Sequence, residues 1–253
     1  MDSNGIDEHS PNAMSFVESG SVGAPQVLLI HGAPGDAKEW NAVVRAKKEL
    51  GSFHCFAVDR PGYGKTPSSA RVGDMDEQVG ALRRFLAGWS DGKIPLCIVG
   101  HSYGAAVAAS LACSLREDGF VFAGLILVAG VLDPGRNHSR WYHSLLDLRL
   151  VRWVLRGERQ RSVLEMKRVA PSLRKLAGCW SRMSIPVRLV HGSEDWIVDF
   201  ENSQYALQAI GDDRASLQRI EGAGHDLLSS HPEAIAEAIA AVFQYNREGA
   251  VSR

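Results

Sequence analysis

The sequence predicts an α/β protein: a mostly parallel central sheet with helices on both faces, interrupted by one helical insertion. Three observations carry this. Short runs rich in Val, Ile and Leu recur at 27–30, 55–58, 96–99, 125–128 and 187–190. Each is too short for a helix and lacks polar alternation, the pattern of strands buried on both faces. Gly-containing turns and helix-like stretches alternate with these runs, the order expected of crossover connections in a parallel sheet. Residues 133–182 then break the rhythm, offering no strand and reading as two or three amphipathic basic helices.

Taken in order, residues 1–12 are polar and read as a tail, and 14–18 is the only strand-like run before Val27. Helices are expected at 37–49, 74–89, 103–117, 200–210 and 231–245, and a weaker edge strand at 216–220. The last helix is the clearest. Ile235, Ile239, Val242 and Phe243 share one face, Ser230 and Glu233 have capping-box spacing, and Pro232 falls in the first turn. The expected organisation is a tail (1–12), a core (13–132 and 183–253) and a helical cap (133–182) over the carboxyl end of the sheet.

Composition narrows the class. The chain has 253 residues, 45% of them apolar, which suits one α/β domain with an insertion. The net charge of −1 argues against nucleic-acid binding. The charge is uneven: residues 133–182 hold 12 Lys/Arg against 4 Asp/Glu. Cys55, Cys97, Cys113 and Cys179 show no zinc-like or disulfide-like spacing, the first three read as small buried hydrophobes, and the expected compartment is reducing. With neither a secretory leader nor a membrane-length apolar run in the sequence, the expected location is the cytoplasm.

The chemistry centres on Gly100-His101-Ser102-Tyr103-Gly104, between the apolar run 96–99 and an Ala-rich stretch. Strand, sharp turn and helix follow one another, and the two glycines clear space where the turn is tightest. Ser102 thereby projects at a strand's carboxyl end, where open parallel sheets bind ligands. The helix N-terminus beneath it favours developing negative charge.

Here the chain resembles the α/β-hydrolase superfamily, among small serine esterases with a helical cap. The resemblance runs from about residue 14 to 243. It rests on five motifs in family order: His31-Gly32-Ala33-Pro34-Gly35, Asp59-Arg60-Pro61-Gly62-Tyr63-Gly64-Lys65-Thr66, the serine motif, His191-Gly192-Ser193-Glu194-Asp195 and Gly222-Ala223-Gly224-His225. It implies Ser102 as nucleophile, His225 as general base and Asp195 as the acid that orients the imidazole, in the chain order Ser, Asp, His. The family pattern after the acid often contains a proline that this chain lacks, which leaves Asp199 as a rival, with Asp226 a weaker one. Backbone N–H groups of Ala33 and Tyr103 are the expected oxyanion donors.

The expected activity is carboxylesterase-like hydrolysis of a small acyl substrate through an acyl-enzyme, without metal or cofactor. Cleavage of a thioester, lactone or carbon–carbon bond by the same residues is the alternative, as is a non-catalytic binding member of the fold. Serine at 102 argues against the carboxylate nucleophile expected of dehalogenases and epoxide hydrolases of this fold. His31, His101 and His191 read as loop braces. Trp141, Trp153 and Trp196 are candidates for the substrate pocket. The arginine series Arg149, Arg152, Arg156, Arg159 and Arg161 reads as the solvated face of a cap helix, with steering of acidic substrates or contact with an anionic membrane surface as further readings. Oligomeric state and acyl length are open at this level.

Overall fold

The computed structural model describes residues 14–46, 48–67, 73–90, 92–136 and 158–251. Seven strands form one sheet: β1 (Phe16–Gly20), β2 (Gln26–Ile30), β3 (His54–Val58), β4 (Leu96–His101), β5 (Phe122–Val128), β6 (Val187–Gly192) and β7 (Ala215–Ile220). Their order is β1-β3-β2-β4-β5-β6-β7. Only β1 runs antiparallel, pairing Phe16 with Val58; the other pairs are parallel.

The unbroken apolar runs are explained by burial on both faces. Leu28, Ile30, Ile98, Leu125 and Leu127 enter one core cluster. Their neighbours Val27, Leu29, Cys97, Val99, Ile126 and Val128 enter the other. Helices α2 (Met75–Trp89), α3 (Tyr103–Leu115), α4 (Glu158–Trp180) and α5 (Glu201–Ile210) contribute to the first cluster. Helices α1 (Asn41–Ala46), α6 (Leu227–Ser230) and α7 (Pro232–Val251) contribute to the second. No helix among the described residues is long and apolar enough to cross a membrane.

Several details differ from the sequence reading. The helix expected at 37–49 is a 3₁₀ turn at Ala37–Trp40 followed by the short α1. Asp36 starts the turn by accepting the Lys38 N–H at 2.7 Å. Ser230 does not cap α7. It closes α6, donating its hydroxyl to the Asp226 carbonyl at 2.6 Å, and α7 begins afresh at Pro232. The cysteine reading also needs correction. Cys113 of α3 and Cys179 of α4 form a disulfide, with Cα atoms 6.4 Å apart. A separation of 66 residues leaves no spacing signal, because the pairing is made by helix packing. The bond removes the ground for inferring a reducing compartment. Cys55 and Cys97 are free and buried, as expected.

Of the insertion, residues 133–136 and 158–182 are described. The second half of α4 packs into the core, burying Val169, Leu173, Leu176 and Trp180. Its first half reaches the loop after β3, where Arg161 donates to the Gly62 carbonyl.

Candidate active site

The sheet's strand order reverses at β2 and β4. Successive connections leave in opposite directions there, which opens a crevice at the strands' carboxyl ends. Ile30 and Gly100 are register partners across that pair, so the loops that follow face each other. His31-Gly32-Ala33 leaves β2, and Ser102 leaves β4.

Ser102 has φ 54° and ψ −122°, a left-handed conformation that costs a non-glycine residue on the order of 1–3 kcal/mol. Its surroundings enforce it. The Ser102 N–H donates to the Val128 carbonyl at 2.9 Å, and the Val131 N–H donates to the Ser102 carbonyl at 3.2 Å. A Cβ at Gly100 would collide with the Gly104 carbonyl, and one at Gly104 with the carbonyls of Ile30 and His31. The two glycines therefore let the β4–α3 turn close against β2. Tyr103 opens α3, so its N–H is one of the helix's first, which lack intrahelical acceptors.

Ser102 shares a cleft of about 870 Å³ with His225, Gly32, Ala33, Glu39, His101, Trp196, Ile197, Asp226 and Leu228. His225 Nδ1 lies 2.7 Å from Asp195 Oδ2. Asp195 accepts further bonds from the backbone N–H groups of Ile197 and Val198, both at 2.9 Å. His191 Nε2 lies 3.1 Å from Asp195 Oδ2 and 2.9 Å from the Val198 carbonyl, while its Nδ1 meets Ser203 Oγ at 2.7 Å. Burial opposes ionisation of Asp195. Hydrogen bonds from His191 and His225 and the pull of the His225 charge outweigh it, holding Asp195 well below the usual carboxylate range.

The Asp199 carbonyl accepts from the Asn202 backbone and side chain. The Asp226 carboxylate caps α6 through the Ser229 N–H.

His101 Nε2 lies 3.2 Å from the His225 carbonyl, an arrangement that braces the His225 loop. Burial, then the His225 charge, lower its pKa to about 4, so the ring is neutral near pH 7. Asp59 clamps the loop after β3, accepting from the Ala37 N–H at 2.8 Å and the Lys65 N–H at 2.9 Å. Glu39, not singled out in the sequence, sits on the cleft wall. Burial first, then the charges of Asp36 and Asp226, raise its pKa to about 7.

Trp196 lines the cleft and is 65% exposed among the described residues. Trp141 and Trp153 lie outside the described residues, as do Arg149, Arg152 and Arg156 of the basic series. Arg161 is half-buried, its guanidinium donating to the Gly62 carbonyl. Among the described residues no group of three or more His, Cys, Asp or Glu could hold a metal ion. His191, expected as a loop brace, also bonds Asp195, and the residues missed by sequence reasoning are its partner Ser203, and Glu39. His191 lay within a quoted motif; Glu39 carried no signal beyond its spacing from Asp36.

The profile of the alpha/beta hydrolase family matches residues 27–238. Lipase LipV of Mycobacterium tuberculosis is 28% identical over 194 residues, 74% of this chain and 62% of the lipase. The 2-succinyl-6-hydroxy-2,4-cyclohexadiene-1-carboxylate synthase of Citrobacter koseri is 29% identical over 141 residues, 56% of this chain and 51% of the synthase. The matched region thus spans less than two thirds of either relative's length. Among solved structures, a thioesterase domain from the curacin biosynthetic pathway superposes with a TM-score of 0.73 at 21% identity, over 95% of this chain and 99% of that domain.

Proposed function

The chain belongs to the alpha/beta hydrolase family, and we propose that within it this protein is a serine hydrolase that cleaves a carboxylic ester through an acyl-enzyme. One observation carries the reading: a serine forced into a left-handed turn shares a cleft with a histidine whose Nδ1 is bonded to a buried carboxylate.

Asp195, ionised well below neutral pH, holds a proton on His225 Nδ1 and so leaves Nε2 as the basic nitrogen. Nε2 takes the Ser102 proton as Oγ attacks the ester carbonyl. The oxyanion accepts from the N–H groups of Ala33 and Tyr103, which flank Ser102 on the facing loop and on α3. His225 returns its proton to the departing alcohol. Water then attacks the acyl-enzyme with the same base, releasing acid and free Ser102.

Trp196, Ile197 and Leu228 supply an apolar wall for the substrate's acyl or alcohol group. The insertion over residues 133–182 is read as the cap of this cleft, a reading supported by α4 reaching the loop after β3. Its basic character suits attraction of acidic substrates or an anionic surface, and a small acyl compound is the proposed partner.

A fluorophosphonate probe should label the wild-type protein at Ser102 and leave Ser102→Ala unlabelled. Ser102→Ala should lose roughly 10⁴-fold or more of ester turnover with its fold intact. Chromogenic esters of increasing acyl length, with thioester and lactone controls, read out the bond class. Normal turnover by Ser102→Ala would overturn the assignment.

A further inference from the structure

Arg60 and Glu165 form a buried ion pair at 2.9 Å, with side chains 0% and 1% exposed. All five guanidinium N–H donors are used. Nε donates to the His31 carbonyl at 3.0 Å. Nη1 donates to Gln78 Oε1 at 3.2 Å and to Glu165 Oε1 at 2.9 Å. Nη2 donates to the Gly32 carbonyl at 2.6 Å and to Glu165 Oε2 at 3.2 Å. Glu165 is equally saturated: Gln78 Nε2 donates to Oε1 and the Tyr63 hydroxyl to Oε2.

Stability alone gives this pair no advantage. A buried ion pair replaced by apolar residues of similar volume usually leaves a fold as stable or more so. An apolar pair lacks one thing, a donor aimed at the Gly32 carbonyl. That carbonyl belongs to the same peptide unit as the Ala33 N–H. The unit is planar and trans, so fixing C=O fixes the direction of N–H. The carbonyl has a second donor. The Arg60 backbone N–H occupies His31 Nε2 at 3.0 Å, which places the His31 proton on Nδ1, 2.8 Å from the Gly32 oxygen. Hydrogen bonds to a carbonyl also polarise its amide and strengthen the N–H as a donor.

We propose that Arg60, oriented by Glu165 of α4, is a positioning residue that aims the Ala33 N–H at the substrate oxyanion, and so couples the insertion to the chemical step. The proposal rests on the serine-hydrolase reading. Glu165 sits 105 positions from Arg60, and Arg161, one turn earlier on α4, holds the same loop at Gly62. A shift of α4 thereby moves Arg60 and the peptide it holds.

The test compares wild type, Arg60→Met/Glu165→Met and Arg60→Lys on one small neutral ester. It also measures affinity for a trifluoromethyl ketone, which adds Ser102 and presents an oxyanion. The double variant leaves no buried charge unpaired. It should keep KM within about two-fold and lose roughly 10- to 100-fold in kcat, less than outright removal of a donor. Ketone affinity should fall in step. Arg60→Lys keeps the charge without the fork, cannot serve Gly32 and Glu165 together, and should fall in between; it decides the matter alone if the double variant does not fold. Wild-type kcat and ketone affinity in a folded variant, or a loss confined to KM or to melting temperature, would overturn the proposal. A wild-type protein inert to esters, ketone and fluorophosphonate overturns the serine-hydrolase reading and takes this inference with it.

Discussion

On the acid side of the cleft, Asp195 is held by neighbours in the chain: the N–H groups two and three residues on, and His191 four residues back, itself bonded to Ser203. On the oxyanion side, the Gly32–Ala33 peptide is held by Arg60, 28 positions away, and Arg60 by Glu165, 105 positions further. One side is local to β6, the loop after it and the first turn of α5. The other is a tertiary junction that includes the insertion. Changes to the insertion should therefore reach the oxyanion donor before they reach the proton relay.

The largest expected effect tests whether the acid side depends on Asp195 alone. Asp195→Asn should cost on the order of 10⁴-fold in kcat, because an amide can hold the wrong imidazole tautomer. Asp199→Asn should cost little, since the His225 imidazole is bonded to Asp195. Steady-state rates on one ester decide it, and a reversed order would move the acid to Asp199.

A smaller effect tests how local that side is. His191→Phe removes a donor that lowers the Asp195 pKa, so the carboxyl should titrate higher than in wild type. The acid limb of the kcat–pH profile should shift upward, with a loss of roughly ten-fold or less near neutrality, as for other supports of a site. An unmoved acid limb would leave His191 as packing.

The smallest expected effect lies on the oxyanion side. Glu39 has its pKa raised to about 7, so the folded protein holds that proton more tightly than the unfolded chain does. Stability from this group is greatest below the ordinary carboxylate pKa and declines as pH rises towards about 7. Glu39→Gln should flatten that decline in melting temperature. The charge appearing on the cleft wall should also lower kcat/KM for an anionic ester relative to a neutral one, by a few-fold, as pH passes about 7. Equal profiles for wild type and Glu39→Gln would remove Glu39 from specificity.

The contrast between the two sides also explains what the sequence disclosed. Strands β2, β4 and β5 were legible because both faces are buried, leaving no polar alternation to confuse the pattern. The turn at Ser102 was legible because close backbone approach demands glycine at 100 and 104. His225 and Asp195 lay in short motifs, and the loops that carry them meet beside β6 and β7. The Arg60–Glu165 pair, the Cys113–Cys179 bond and Glu39's place in the cleft were not legible. Each depends on where a helix or loop lands, which no spacing encodes. The long helix read at 37–49 is instead a 3₁₀ turn and a short helix, with Asp36 capping the turn and Asp59 tying the Ala37 N–H to the loop after β3.

Cys113 lies in the helix that begins at the serine turn, and Cys179 near the end of α4. Their bond closes the intervening chain, β5 included, into a covalent ring. A peptide bond cut anywhere in that ring opens it without parting the molecule: the piece bearing Ser102 and the piece bearing Asp195 and His225 stay joined by one sulfur–sulfur link. A cut elsewhere in the chain has no such safeguard. The protein can thus lose continuity between its nucleophile and its base and still keep them on a single molecule.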